Sequence, residues 1–158
     1  MKNNNFEDVV FNRHSIKEFV KDYKIEREEM LQILEEATKA PSSVNLQPWR
    51  FVVVESEEAK DKLRPLIMFN VRQNDTSSAM ILIFGDMKCY EKADEIYNKA
   101  VEKGYMPEDV KKEAMDYFVP AYKNFSKAKM NDIVKIDSSL MAMQLMLVAR
   151  AHGYDTNA

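Results

Sequence analysis

One segment constrains this chain more than any other: Ser138 to His152 is apolar on nearly every side of a helical turn. A helix of that kind is expected at the centre of a fold, with neighbours all round, and not on its surface. It cannot span a bilayer instead. Its longest apolar run, Leu140 to Ala149, is interrupted by Gln144 and falls short of the roughly 20 residues a membrane helix needs. Gly153 follows as a natural C-cap. The rest of the chain must therefore supply apolar faces to cover it.

Those faces can be read in order. Glu26 to Lys39 has the helical period, with Met30, Ile33, Leu34 and Ala37 on one side and acidic residues in its first turn, and it stops at Pro41. Arg50 to Glu55 is a short β-branched run and reads as a buried strand. Glu57 to Leu63 reads as a short helix ended by Pro65. Ala79 to Phe84 reads as a second buried strand, closed by Gly85-Asp86. Ala93, Ile96, Tyr97, Ala100 and Val101 mark a helix that stops near Gly104. Another begins at Pro107 and carries Val110, Ala114, Tyr117, Phe118, Ala121, Tyr122 and Phe125 inward, with Pro120 expected to kink or divide it. Two strands are few for a stable sheet in a single domain of 158 residues, so more strand is expected beyond Ala158.

Composition narrows the class. The chain is 46% hydrophobic and 31% charged, which is globular and far from disorder. A net charge of -3 argues against nucleic acid or an anionic membrane as the main partner. The single cysteine, Cys89, permits no internal disulfide and suits a reducing, cytoplasmic setting; it reads as a small hydrophobe. With three glycines in all, no Gly-rich dinucleotide fingerprint occurs. No pair of His, Cys or carboxylates has metal-ligand spacing, and His152 reads as a helix-dipole partner. The 11 methionines read mostly as core filler, Met141, Met143 and Met146 above all.

Two segments carry chemistry. Arg13-His14-Ser15-Ile16-Lys17-Glu18-Phe19 gathers a forked donor, a hydroxyl and a point charge, a set that suits a phosphate. The plainer reading is the basic end of a short helix. Pro41-Ser42-Ser43-Val44-Asn45-Leu46-Gln47-Pro48-Trp49 is a polar loop fixed by two prolines, and its small donors suit the edge of a flat heteroaromatic ring. It reads equally as a tight loop with Trp49 plugging the core.

Taken together, Arg-His-Ser-x-Lys-x-Phe followed by Pro-Ser-Ser-x-Asn-x-Gln-Pro-Trp-x-Phe resembles the two flavin-binding motifs of the FMN-dependent nitroreductase family, in order and spacing. Phe69-Asn70-x-x-Gln73 resembles the family's segment at the flavin's pyrimidine edge, and Ala151 to Thr156 the end of its long central helix. The resemblance runs from about Phe6 to Ala158 and is weakest over Lys88 to Lys135.

The resemblance implies an α+β fold with a central, mostly antiparallel sheet surrounded by helices, in an intertwined homodimer. It implies FMN as cofactor and NADH or NADPH as donor, with electrons passed to nitroaromatics, quinones or other electron-poor acceptors in a ping-pong cycle. Arg13 and Ser15 would meet the FMN phosphate and ribityl chain, His14 mostly through its backbone, and Lys17 would sit near the ribityl chain and the N1/O2 edge. Asn70 would bond the ring edge, while Gln73 stands where some members carry Lys. Pro41, Ser42, Ser43 and Asn45 would reach the FMN of the other subunit. The cofactor performs the hydride chemistry, so no catalytic side chain is assigned. Beyond Ala158, family members continue with a turn beside the flavin, a final strand and a basic pair on the phosphate. Two other readings stand beside this one. The same scaffold could reduce an activated alkene or a carbon–halogen bond. Alternatively the aromatic stripe Tyr117, Phe118, Tyr122, Phe125 could dock a partner without catalysis.

Overall fold

A computed structural model of the protein describes residues 3–158. In chain order the elements are α1 (Phe6–Phe11), α2 (Arg27–Ala37), β1 (Trp49–Val54), α3 (Glu57–Leu63), α4 (Val71–Thr76), β2 (Met80–Gly85), α5 (Ala93–Glu102), α6 (Glu108–Asn124) and α7 (Lys127–Ala151). They group into two compact units. The first holds Met1–Lys39, Phe51–Ile83 and Ala142–Ala158; the second holds Ala40–Arg50 and Phe84–Met141. Among the described residues, no helix is long and apolar enough to cross a membrane.

In the first unit, α2 buries Met30, Ile33, Leu34 and Ala37, the four positions its period predicts. Each fully buried side chain of the Met, Ile or Leu kind is worth about 1.5–3 kcal/mol. The end of α7 lies against this helix: the Gln144 amide donates to the carbonyl of Glu36 at 3.2 Å. α3 is tied to α4 by two bonds. The buried Lys60 ammonium donates to the carbonyl of Ser77, and the fully buried Asn74 amide donates to the carbonyl of Lys60. Neither α1 nor α4 is foreseen from periodicity. Both are single-turn pieces too short to show one, and α1 starts on the side chain of Asn5, which accepts the Asp8 N–H.

α7 ends where the sequence places its stop. The N–H of Tyr154 donates to the carbonyl of Ala149 at 2.9 Å, and that of Gly153 to Arg150 at 3.0 Å. This pair of bonds closes a helix on a left-handed residue, and Gly153 at φ +94° supplies it.

β1 and β2 form a two-stranded sheet. The Asp86 N–H, just past β2, donates to the carbonyl of Pro48, just before β1, so the strands run antiparallel. The second unit has a core of Leu46, Cys89, Ala93, Tyr97, Ala114, Tyr122, Met130 and Val134.

Four expectations about burial and continuity are corrected. α7 begins well before Ser138, and only one side of it is buried: Met130, Val134, Asp137, Met141, Leu145 and Ala149. Ile136, Leu140 and Met143 on its other side are exposed. Apolar composition says that a face can be buried, and the chain's own elements cover one of two. For the same reason β2 is half-buried with Phe84 exposed, and β1 buries Trp49 and Val54 while Val52 is exposed. α6 turns Ala114 and Tyr122 inward and leaves Val110, Tyr117 and Phe118 exposed, the last two as an edge-to-face pair. Finally, α6 runs unbroken through Pro120. The proline is on the exposed side, where the carbonyl it leaves without a partner can turn to water.

Gly85 in the second unit leaves no room for a side chain. A β-carbon there would fall 1.9 Å from Val134 Cγ1. Gly85→Ala is expected to destabilise the fold by about 1–3 kcal/mol through overpacking. Adding Val134→Ala to that variant should recover part of the loss. Urea unfolding of the three variants checks this, and equal midpoints for wild type and Gly85→Ala would contradict it.

Candidate functional site

The first unit builds its site around the turn that follows α7. Past Gly153 the chain doubles back beside the Arg13–Lys17 segment: Ser15 and Thr156 form a parallel bridge, and the Ile16 N–H donates to the Thr156 carbonyl at 3.0 Å. A little further on, the Phe19 N–H donates to Thr76 Oγ1 at 3.1 Å, which ties the same segment to the end of α4. Arg13 to Lys17 thus lies past the end of α1, whose last turn has no basic residue, and is held at Ser15 and Ile16 by the chain after α7.

Lys17 and α4 line a cavity of about 590 Å³, together with Phe69, Asn70, Arg72 and Asn157. Its floor is a set of amides. The Gln73 Nε2, on a buried side chain, donates to Asn70 Oδ1 at 3.2 Å and reaches Asn157 Oδ1 at 3.4 Å. Phe69 stands out from the surface, 91% exposed. Of the residues singled out in the sequence, the structure thus brings Lys17, Asn70 and Gln73 to one place. Arg13, half-buried, and the exposed His14 and Ser15 precede Lys17 on the same segment without lining the cavity. The His14 side chain is occupied locally, its Nδ1 2.8 Å from the carbonyl of Asn12.

Pro41, Ser42, Ser43 and Asn45 belong to the second unit. Their loop has three non-glycine residues in the left-handed region: Val44 at φ 42°, Asn45 at 56° and Gln47 at 46°. Asn tolerates this; a β-branched Val does not, and each such residue costs about 1–3 kcal/mol unless its surroundings hold it. Here they do. The Ser43 N–H donates to both oxygens of the buried Asp137, at 3.1 Å each. The Ser43 hydroxyl bonds that of Tyr122, and the Tyr97 hydroxyl donates to the Val44 carbonyl at 2.8 Å. Leu46 is sunk in the core below. Cys89 lies in that core too, and burial first, then the carboxylates of Asp86 and Asp137, push its thiol up to about 11, so it is no nucleophile.

Several site-forming residues escape a linear reading. Arg72 and Asn157 line the cavity only because α4 and the turn after α7 meet there. Asp137, Tyr97 and Tyr122 look like ordinary helix residues until the loop is laid on them. His152, expected as a dipole partner, is instead enclosed by carboxylates from α2: Nδ1 is 3.2 Å from Glu29 and Nε2 3.0 Å from Glu36.

Cations, amides and an exposed ring around one cavity are donors of the kind that suit a flat, anionic small molecule. Comparison with known proteins gives the family. A model of the nitroreductase family matches residues 10–158. The YdgI protein of Bacillus subtilis, for which NAD(P)H nitroreductase activity is proposed, is 49% identical over 99% of this chain and 75% of its own length. The CLA biosynthesis enone reductase of Lactiplantibacillus plantarum is 42% identical over 99% of this chain and 72% of its own. A proposed nitroreductase of Exiguobacterium sibiricum, solved in complex with FMN, superposes with a TM-score of 0.95 at 52% identity, covering 99% of this chain and 75% of that one. The chain belongs to the nitroreductase family, and its fold is nitroreductase-like.

The His152 cluster makes a pH prediction. The Tyr154 hydroxyl donates to Glu29 at 2.7 Å, and this bond first, then the one from His152, holds the Glu29 carboxyl below the usual carboxylate range. Burial first, then Tyr23 and Glu29, push the Tyr154 hydroxyl up, so it stays a donor. A carboxyl whose folded pKa is depressed gives stability that is present above its ordinary pKa and lost as pH falls through the folded value. Glu29→Gln should therefore lower the neutral plateau of the stability curve and flatten its acid side, with the acid end changed least. Thermal midpoints across the acid range test it; an unchanged acid limb would remove Glu29 from the linkage.

Proposed function

We propose that this chain is an FMN-dependent NAD(P)H oxidoreductase that reduces nitroaromatics, quinones or similar electron-poor acceptors, working in the cytoplasm as a homodimer. The observation that carries the reading is the cavity of Lys17, Asn70, Gln73 and Asn157 within a fold of this family.

The residues present fit FMN. An ammonium, a guanidinium and three amides match a phosphorylated ligand with a carbonyl-edged ring. The Thr156 hydroxyl, on the segment paired with Ser15 and next to the cavity residue Asn157, is buried without a hydrogen-bond partner among the described residues. In this reading Arg13 and Ser15 take the phosphate and ribityl chain, His14 contributes backbone, and Lys17, Asn70 and Gln73 meet the ring edge. Pro41, Ser42, Ser43 and Asn45 contribute to the FMN of the second subunit. When bound, the flavin supplies the hydride and electron transfer; the chain's side chains bind it, orient it and set its electrostatics. The exposed stripe of Ile136, Leu140 and Met143, spaced as one face of α7, supports a second copy as its cover. The same reading takes residues 1–158 as one FMN-binding domain, since the family match runs through both units.

A second reading, reduction of an activated alkene, is favoured by the 42% identity to an enone reductase. Steady-state turnover of a nitroaromatic, a quinone and an α,β-unsaturated ketone, each with NADH and NADPH, separates the two.

Two variants test the site itself. Arg13→Ala should weaken FMN binding by about 1.5–3 kcal/mol, the value of a charge-assisted contact, in a titration with free FMN. Lys17→Met should lower the two-electron midpoint potential by tens of millivolts, because the lost ammonium no longer favours the more negative reduced cofactor; about 30 mV corresponds to 1.4 kcal/mol. A wild-type potential in Lys17→Met with FMN bound would make Lys17 a bystander. A wild-type protein that takes up no FMN would end the flavin reading.

A further inference from the structure

The loop from Ser42 to Gln47 adopts a shape its own residues resist, and the second unit contains the groups that impose it. Val44 is the least suited of its left-handed residues, yet its carbonyl is fixed by the Tyr97 hydroxyl at 2.8 Å. Ser42 Oγ accepts the Gln47 N–H at 3.1 Å, which closes the loop on itself. Beneath it, the one hydrogen-bond donor to Asp137 among the described residues is the Ser43 N–H, which meets both carboxylate oxygens.

That arrangement is costly by stability alone. Asp137 is 5% exposed, and burial pushes its carboxyl above the usual range, only partly offset by the Ser43 N–H. No cation pairs with it among the described residues. A neutral side chain of the same shape would remove the desolvation penalty. A buried charge kept for one backbone N–H has its effect on where that N–H is held.

We propose that Asp137 is a positioning residue for the flavin: through the Ser43 N–H, and together with Tyr97 and Tyr122, it locks the Ser42–Gln47 loop in the left-handed shape that presents Pro41, Ser43 and Asn45 to the cofactor. This rests on the FMN reading above. The outward residues fit the role, since Pro41, Ser43 and Asn45 are exposed while the groups that hold them are buried. Preorganising the loop means that binding need not supply the ordering.

Asp137→Asn in the full chain, with Tyr97→Phe as an independent second variant, tests this by three readouts. The flavin-free thermal midpoint of Asp137→Asn should match or exceed wild type, because a buried charge is gone. Its FMN dissociation constant should nevertheless rise about tenfold, because the amide keeps one neutral acceptor where the carboxylate offers the Ser43 N–H two charged ones. Amide deuterium exchange at Ser43 to Gln47 should speed up in both variants. A merely structural Asp137 predicts the reverse: a lower midpoint with FMN affinity and loop exchange as in wild type, and that result overturns the proposal. Wild-type protein that binds no FMN overturns the flavin reading and the loop's role with it. Wild-type protein that binds FMN, with variants that match it in affinity and exchange, overturns only the assignment of Asp137.

Discussion

The first unit depends on the place where α7 stops and on the imidazole that holds it there. His152 occupies the last turn with a glutamate of α2 at each ring nitrogen, and its side chain is almost wholly out of water. α2 is anchored by its apolar face, so this polar contact fixes α7 lengthwise as well as sideways. Gly153 then reverses the chain, Tyr154 bonds the same Glu29, and Thr156 and Asn157 arrive beside Ser15 and Gln73. The cavity exists because a helix end is positioned to within a hydrogen bond.

The second unit solves a different problem with similar means. Its loop must hold polar groups outward on a backbone that costs free energy to shape, and the surrounding helices absorb that cost through hydroxyls and one carboxylate. Both units thus place hydrogen-bonding groups of buried or half-buried residues behind exposed ones. The exposed ones include Lys17 in the first unit and Pro41, Ser43 and Asn45 in the second; those behind are fixed by packing. The same division explains why Cys89 is inert. It belongs to the packed layer, where burial and nearby carboxylates keep the thiol protonated.

Apolar surface is the other constraint. Ile136, Leu140 and Met143 along α7, and Tyr117 with Phe118 on α6, are exposed at helical spacing. Periodicity counted Leu140, Met143, Tyr117 and Phe118 as core because it registers which face is apolar, never what lies against it. Where the chain's own elements do the covering, as on α2, the same rule placed every buried residue correctly. Where they do not, it overestimated burial, on α6, α7 and β2.

The sequence alone determined what depends on neighbours along the chain. Helix α2, strand β1, the bounds of α3, the glycine stop after α7 and the family's motifs are all set by local spacing, capping and turn chemistry, which are short-range. It also singled out Lys17, Asn70 and Gln73, because their motifs are contiguous. Only the tertiary structure decided that these three share a cavity, that Arg72 and Asn157 join them, and that Ser15 pairs with Thr156. It alone placed His152 between Glu29 and Glu36 and Asp137 under Ser43, residues more than 90 positions apart. Contacts at that separation follow from how whole elements pack, and no local pattern encodes which donor a buried carboxylate will meet.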